Sequence, residues 1–406
     1  MIISGKMSEA LKNGSMVREM FEEGIRLKAK HGADKVYDFS LGNPDLPPPD
    51  SFLRELERTV ESCDGPGVHG YMPNGGWPYV REAVADYLTE TNPEIGASFK
   101  GLHAILTVGA AGAMNCALKA LLDPGDEVIV LAPFFMEYRF YADNHGGSVK
   151  VAQTDERFRP DPENVVRQVT SRTRAVIINT PNNPTGAIYD EGELKALGEA
   201  MEKASRTLAK PLFLISDEPY RKIAFKGATP PSVFACYRNT LAVTSFSKDL
   251  SIPGERLGYV AVSPLLEEAG ILSDALVLAN RILGSVNAPS LMQRAVKNVL
   301  RESSDLAVYE RRSDIMAEGL TKAGYDLVRP QGTFYLFPRS PLEDDAAFTD
   351  ILREELILAV PGSGFGRPGH FRLSLCVGEE AIRASLPRFA KAMEKARDVS
   401  RKGRET

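Results

Sequence analysis

The sequence predicts an α/β protein with one mostly parallel sheet, helices on both of its faces, and a smaller α+β unit beyond it. Three observations carry this. Short runs that are apolar at all but one position, AILTV (104–108), EVIVL (127–131) and AVIIN (175–179), alternate with helix-length segments. Strands covered on both faces have this composition, whereas a strand with one wet face alternates apolar and polar residues. After two long helical patterns, at 265–285 and 290–323, the chain changes to short strand-like runs and helices without regular alternation, as in an α+β unit. The length, 406 residues, also exceeds what one ordinary core holds. The expected division is an N-terminal segment (1–45) packed with the small domain, a large domain (46–289) and a small C-terminal domain (290–406).

Taken in order, residues 7–30 set Met16, Met20, Ile25 and Leu27 among charges and predict a helix, which His31-Gly32 ends. VYDFSL (36–41) predicts a strand running into Gly42-Asn43-Pro44-Asp45 and the proline-rich LPPPD. A helix follows at 50–62, then a glycine-rich loop bearing Tyr71 and the single tryptophan, Trp77. Such a loop is either a plain connector or a binding loop. The next helix, 77–90, aligns Val80, Val84 and Leu88 on one face. The β/α alternation then begins at 104–108. Gly109-Ala110-Ala111-Gly112 opens an Ala-rich helix, which Asp123-Pro124-Gly125 ends. Strand 127–131 leads through Pro133-Phe134-Phe135 into a helix with Tyr138 and Tyr141. Strands at 149–152, 175–179 and 212–215 are separated by helices at 161–171 and 190–207, with TPNNPTG (180–186) and SDEPY (216–220) after the last two strands. Runs at 240–243 and 257–262 complete the series. Beyond residue 323, strands are predicted at 325–328, 333–337, 356–360 and 371–375, helices at 344–355 and 379–397, and a frayed tail at 401–406.

Composition narrows the function. Hydrophobic content of 43% and charged content of 25% are those of an average globular protein. The net charge of -5 is spread along the chain without a basic block, so no nucleic-acid partner is expected. Four cysteines (Cys63, Cys116, Cys236, Cys376) lie far apart with no CxxC pair, which predicts neither a metal site nor disulfides. No apolar run matches a signal peptide or a membrane span. A soluble cytoplasmic protein is expected.

Chemistry concentrates in VTSFSKDLSIPGERLGY (243–259). Lys248 sits on a turn between two buried strands, where poor hydration lowers the pKa of an amine and frees the form that attacks carbonyls. Ser245, Ser247 and Arg256 surround it and can hold a phosphate, the arginine by a bidentate fork. A surface lysine beside a helix-capping serine explains this stretch equally well. The other signals are also ambiguous alone: a strand-end Asp is often a cap, Asn-Pro-Thr-Gly often a turn, and Gly-Ala-Ala-Gly often tight packing. Their placement is more specific, because Gly109, Phe135, Asn183, Asp217 and Lys248 all fall at C-terminal ends of predicted strands, the edge where open α/β sheets bind ligands. A helix N-terminus for an anion, an aromatic to cover a ring, an acid for a ring nitrogen and an amine are the parts of a pyridoxal phosphate site.

With these residues in this order, nearly the whole chain resembles the class I/II aminotransferases, the fold type I pyridoxal-phosphate-dependent enzymes. The resemblance implies a seven-stranded-type sheet in the large, cofactor-binding domain. It also implies roles for residues. Gly109, Ala110 and Ala111 match the phosphate-binding turn, Phe135 the ring-stacking aromatic, and Asn183 the asparagine bonded to the cofactor O3′. Asp217 matches the partner of the pyridine nitrogen and Tyr220 the second O3′ donor. Ser245, Ser247 and Arg256 fall on the phosphate-binding segment and Lys248 on the Schiff-base lysine. Arg372 in FRLSL matches the clamp for the substrate α-carboxylate, with Gly42 on the loop that touches it and Asn183 beside them. Tyr71 resembles a tyrosine that reaches the phosphate from a partner subunit, which implies a homodimer with shared sites. The expected function is transfer of an amino group between an L-amino acid and a 2-oxo acid, with Lys248, Asp217 and Tyr220 catalytic and pyridoxal 5′-phosphate as cofactor.

Two alternatives use the same parts: a β-eliminating C–S lyase, and a non-catalytic sensor that keeps the fold. The sensor lacks support, since no helix-turn-helix extension or basic patch is present. Arg281 is either an exposed helix residue or a group that reaches across the dimer to an acidic side chain. Phe134-Phe135-Met136 makes the pocket floor apolar and favours neutral, aromatic or branched donors.

Overall fold

A computed structural model of the chain describes residues 2–12, 16–65 and 67–405. After a two-residue strand, β1 (Tyr37–Asp38), seven strands build the main sheet: β2 (Ala104–Thr107), β3 (Glu127–Ala132), β4 (Ser148–Gln153), β5 (Thr173–Asn179), β6 (Phe213–Asp217), β7 (Thr240–Ser245) and β8 (Gly258–Val262). Their order is β2-β8-β7-β6-β5-β3-β4, and every neighbouring pair is parallel except the two that β8 makes.

The largely apolar runs are explained by what each face meets. Side chains alternate across a strand, so Val176 and Ile178 of β5 join one core while Ala175 and Ile177 join the other. Helices Pro78–Thr91, Glu191–Leu208 and Ser290–Val296 cover the first face through Val84, Leu194, Leu197 and Met292. Helices Gly109–Leu121 and Ala269–Ile282 cover the second through Ala113, Leu118, Leu272 and Leu276. Each fully buried Leu, Ile or Val contributes about 1.5–3 kcal/mol relative to exposure.

A second core forms around three short antiparallel strands, β9 (Tyr335–Leu336), β11 (Val360–Pro361) and β12 (Phe371–Ser374), in the order β11-β12-β9. Helices Ala307–Ala323, Asp345–Glu354 and Glu379–Glu405 pack on it, with Phe334, Phe348, Phe371 and Phe389 inside. β1 pairs in parallel with β10 (Ile357–Leu358), so the N-terminal segment is tied to this C-terminal core.

Several predicted elements differ. The segment 290–323 is not one helix: Ser304 donates its backbone N–H to the Asp249 carbonyl (2.8 Å) and its hydroxyl to the Pro47 carbonyl (3.0 Å). Those tertiary bonds replace helical ones, a competition in which serine takes part readily. No strand forms at 325–328, where Tyr325 instead buries its ring and donates its hydroxyl to the Phe389 carbonyl. Residues 401–405 continue the last helix rather than fray, and Thr406 lies outside the described residues. The predicted helix at 7–30 is two helices, Gly5–Lys12 and Met16–His31. Residues 13–15, the Met16 side chain and Pro66 of the glycine-rich loop lie outside the described ones.

Candidate active site

The C-terminal edge of the parallel strands faces the second core across a cleft of about 520 Å³. Its walls bring together Gly42, Ala110, Ala111, Phe135, Asn183, Asp217, Tyr220, Ser245, Ser247, Lys248, Arg256 and Arg372, every sequence-predicted site residue except Gly109 and Tyr71.

Lys248 follows β7 on the turn that returns to β8. Its Nζ donates to the Gly42 carbonyl (3.0 Å) and stands 5.8 Å from the centre of the Phe334 ring. Burial pushes this amine down to about 8, because a desolvated ammonium loses hydration that one carbonyl and a ring face only partly replace. Asp217 ends β6 and is buried. The Tyr138 hydroxyl donates to its Oδ2 at 2.5 Å, while Oδ1 is buried with no hydrogen-bond partner. Burial raises this carboxyl to about 7 against the lowering effect of the Tyr138 bond. An unpaired buried carboxylate oxygen is costly, and a ligand N–H would relieve that cost.

Asn179, at the end of β5, donates to the Asp217 carbonyl (2.7 Å) and accepts from the Asn183 backbone N–H (2.6 Å). The two strand ends are thereby locked in register. Phe135 sits edge-on to Tyr138 with ring centres 5.8 Å apart.

An anion cradle lies beside these groups. Gly109 opens the helix Gly109–Leu121 with φ +69, and a Cβ there would stand 2.9 Å from the Arg256 guanidinium. Glycine therefore lets the arginine approach a helix N-terminus, whose free N–H groups and dipole favour negative charge. Ser245 and Ser247, both buried, complete the cradle.

On the far wall Arg372 of β12 is buried. Its Nη1 donates to Asn183 Oδ1 (3.2 Å) and its Nη2 to the Ser40 carbonyl (2.5 Å), while its buried Nε has no partner. Burial lowers its affinity for its proton, yet a guanidinium remains a cation. A guanidinium with an N–H to spare can take up a carboxylate.

Two expected groups stand apart. Tyr71 is 92% exposed and does not line the cleft of its own chain. Arg281 is exposed on the helix Ala269–Ile282, outside the cleft. Conversely, the cleft contains Tyr138, Glu137, Tyr141 and Tyr335, none of which the sequence reading placed in the site. Tyr138 lies three residues beyond Phe135, one helical turn on, which is the only local signal that it faces the same ligand. Among the described residues no group of His, Cys, Asp and Glu is arranged to hold a metal ion.

The model for the family "Aminotransferase class I and II" matches residues 34–388. The chain belongs to the class I and II aminotransferases. It is similar to the aspartate/prephenate aminotransferase of Thermus thermophilus (34% identical, over 90% of this chain and 93% of that one). It is also similar to the probable aspartate/prephenate aminotransferase of Aquifex aeolicus (35% identical, over 91% and 93%). Among solved structures, an amino transferase from Eubacterium rectale superposes with a TM-score of 0.93 at 37% identity, over 98% of this chain and 99% of that one. The aspartate aminotransferase of Thermus thermophilus with maleate gives 0.83 at 31% identity, over 93% and 97%. This aminotransferase thus has the fold type I architecture, and members of its family depend on pyridoxal phosphate. Its reaction is transfer of an amino group between an L-amino acid and a 2-oxo acid, so the lyase and sensor alternatives give way.

Proposed function

We propose that this aminotransferase holds pyridoxal 5′-phosphate in the cleft just described, with Lys248 as its attachment point and Arg372 as the clamp for the amino-acid carboxylate. The carrying observation is the partnerless Asp217 Oδ1, buried in the cleft that also holds the amine and the anion cradle. A protonated ring nitrogen supplies the donor that this oxygen lacks. The remaining residues fit the same group. Gly109, Ala110, Ala111, Ser245, Ser247 and Arg256 would hold the phosphate, Phe135 would cover the ring, and Asn183 and Tyr220 would bond the ring oxygen.

When bound, the cofactor draws electrons from the amino-acid α-carbon and so acidifies its proton. Lys248, whose amine the incoming amino group would displace from its attachment, would then be free, with its depressed pKa, to take the proton from the α-carbon and give it back, as base and then acid. Asp217 keeps negative charge at the ring nitrogen throughout, fixed in place before reaction by Tyr138 and Asn179. Arg372 holds the carboxylate by paired hydrogen bonds, which fixes the direction of the α C–H bond.

The enzyme is proposed to be a cytoplasmic homodimer. Ile271, Leu278 and Ile282 leave an apolar stripe exposed on one helix, the kind of surface that a second subunit covers. Tyr71 would enter the partner's site from the neighbouring glycine-rich loop. The pairing of β1 with β10 supports a segment 1–45 that belongs with the small domain 290–406, set against a large domain 46–289.

An absorbance scan with donors added singly tests the assignment. The purified protein should show a visible band that moves to the near-ultraviolet with its donors. Aspartate is one donor to try, after the relatives' names; apolar and aromatic amino acids are others, after Leu41, Met114 and Phe135 in the cleft wall. Absence of the band after reconstitution with the cofactor would overturn the proposal.

A further inference from the structure

The carboxylate clamp, the ring-oxygen donor and the amine are separate in sequence, yet one side chain touches the support of all three. Tyr335 of β9 is buried and lines the cleft. Its ring lies under the Arg372 guanidinium, 4.6 Å from its centre, and Phe365 flanks the same guanidinium at 4.8 Å. Its hydroxyl is 3.2 Å from the Tyr220 hydroxyl. That hydroxyl also occupies the space a Cβ at Gly42 would need, and the Gly42 carbonyl is the one that receives Lys248 Nζ. β9 and β12 are hydrogen-bonded neighbours, with Ser374 opposite Tyr335, so the ring and the arginine are carried by one small sheet.

Resting on the proposed roles of Arg372 and Tyr220, we propose that Tyr335 is a positioning residue with two separable parts. Its ring face keeps the Arg372 guanidinium flat and aimed for the donor carboxylate. Its hydroxyl sets the hydrogen bonding of Tyr220, and through it the protonation of the bound cofactor. A cation over an aromatic face in a desolvated site is attracted to it. The two polar anchors of Arg372, Asn183 and the Ser40 carbonyl, fix its ends but not the plane. The hydroxyl pair is buried where hydrogen bonds polarise one another.

The test uses holoenzyme and two variants, Tyr335→Phe and Tyr335→Leu, titrated with whichever of L-aspartate, L-alanine and L-phenylalanine converts the wild-type cofactor band. Tyr335→Phe keeps the ring and loses the hydroxyl. Its apparent donor dissociation constant should stay within about twofold, while the pH midpoint of its visible cofactor band moves by about half a unit or more, as for one lost hydrogen bond. Tyr335→Leu loses both, and its donor dissociation constant should rise roughly tenfold or more, as for a lost cation–π contact in a dry site. Wild-type donor affinity in a folded, cofactor-loaded Tyr335→Leu would overturn the ring's role. An unmoved band midpoint in Tyr335→Phe would overturn the hydroxyl's role and stands as a test even where the Leu variant does not fold. Arg372→Lys is the control for the underlying assignment: unchanged donor affinity there would remove the clamp itself rather than its support.

Discussion

At the scale of single residues, the site works by placing charge where water cannot compensate it. Asp217→Asn keeps the shape but loses the anion proposed to face the ring nitrogen. It should lower the rate of the donor half-reaction by roughly 10²-fold or more, as for lost preorganised electrostatic stabilisation, with the cofactor still bound by absorbance. A rate within threefold of wild type would remove Asp217 from the mechanism. The buried amine makes a second expectation. The Lys248 pKa is about 8 in the fold, below the value near 10.4 of a free lysine. The unfolded chain therefore binds the extra proton between those values, and stability gained from neutral Lys248 grows as pH rises through that window. Apoenzyme Lys248→Met should be more stable than wild type at pH 7, by up to about 3 kcal/mol, and the difference should close above about pH 10.4. Thermal melts across pH decide it; a pH-independent difference would show that the amine is not desolvated. Glu137, a half-buried carboxylate in the cleft wall, bears on selectivity. Glu137→Gln should raise kcat/KM for aspartate relative to alanine, since a like charge is removed; an unchanged ratio would place the donor side chain elsewhere.

At the scale of elements, the site depends on glycine where backbone must come close. Gly109→Ala meets both a left-handed φ and the Arg256 guanidinium. Spectroscopic titration of its apoenzyme with pyridoxal 5′-phosphate should give at least tenfold weaker binding, with little change in donor affinity once loaded; equal cofactor affinity would mean that the cradle lies elsewhere. This is also the scale at which sequence legibility divides. The sheet was readable because both faces of each central strand are covered, so the middles of β3 (Val128 to Ala132) and β5 (Ala175 to Ile178) are continuously apolar, and period and length agreed. Lys248, Asp217 and Asn183 were readable because strand ends at one sheet edge converge whatever the loops do. The break near Ser304 was not, because its backbone bonds go to Asp249 and Pro47, far away in sequence. Tyr138 and Tyr335 were hidden for a related reason. A tyrosine within an apolar pattern reads as core, and only the fold shows that their hydroxyls meet Asp217 and Tyr220.

At the scale of the molecule, the proposed homodimer makes each cleft depend on two chains. Tyr71 is exposed and does not line its own cleft, and the exposed stripe of Ile271, Leu278 and Ile282 is the face proposed for a second copy. If each site takes its lysine from one subunit and Tyr71 from the other, two inactive variants should repair each other. Tyr71→Ala and Lys248→Ala would each be nearly inactive as homodimers. In their heterodimer, one site carries both changes and the other carries neither. Random reassociation of equal amounts puts half the molecules in heterodimers, so about a quarter of wild-type sites should return, given a closed two-fold dimer. Co-refolding the two variants and measuring amino transfer decides this. No recovery, with heterodimers demonstrated by mass, would mean that Tyr71 serves its own subunit or none. Recovery that disappears on adding Leu278→Asp to both chains would place the shared sites across this helix face.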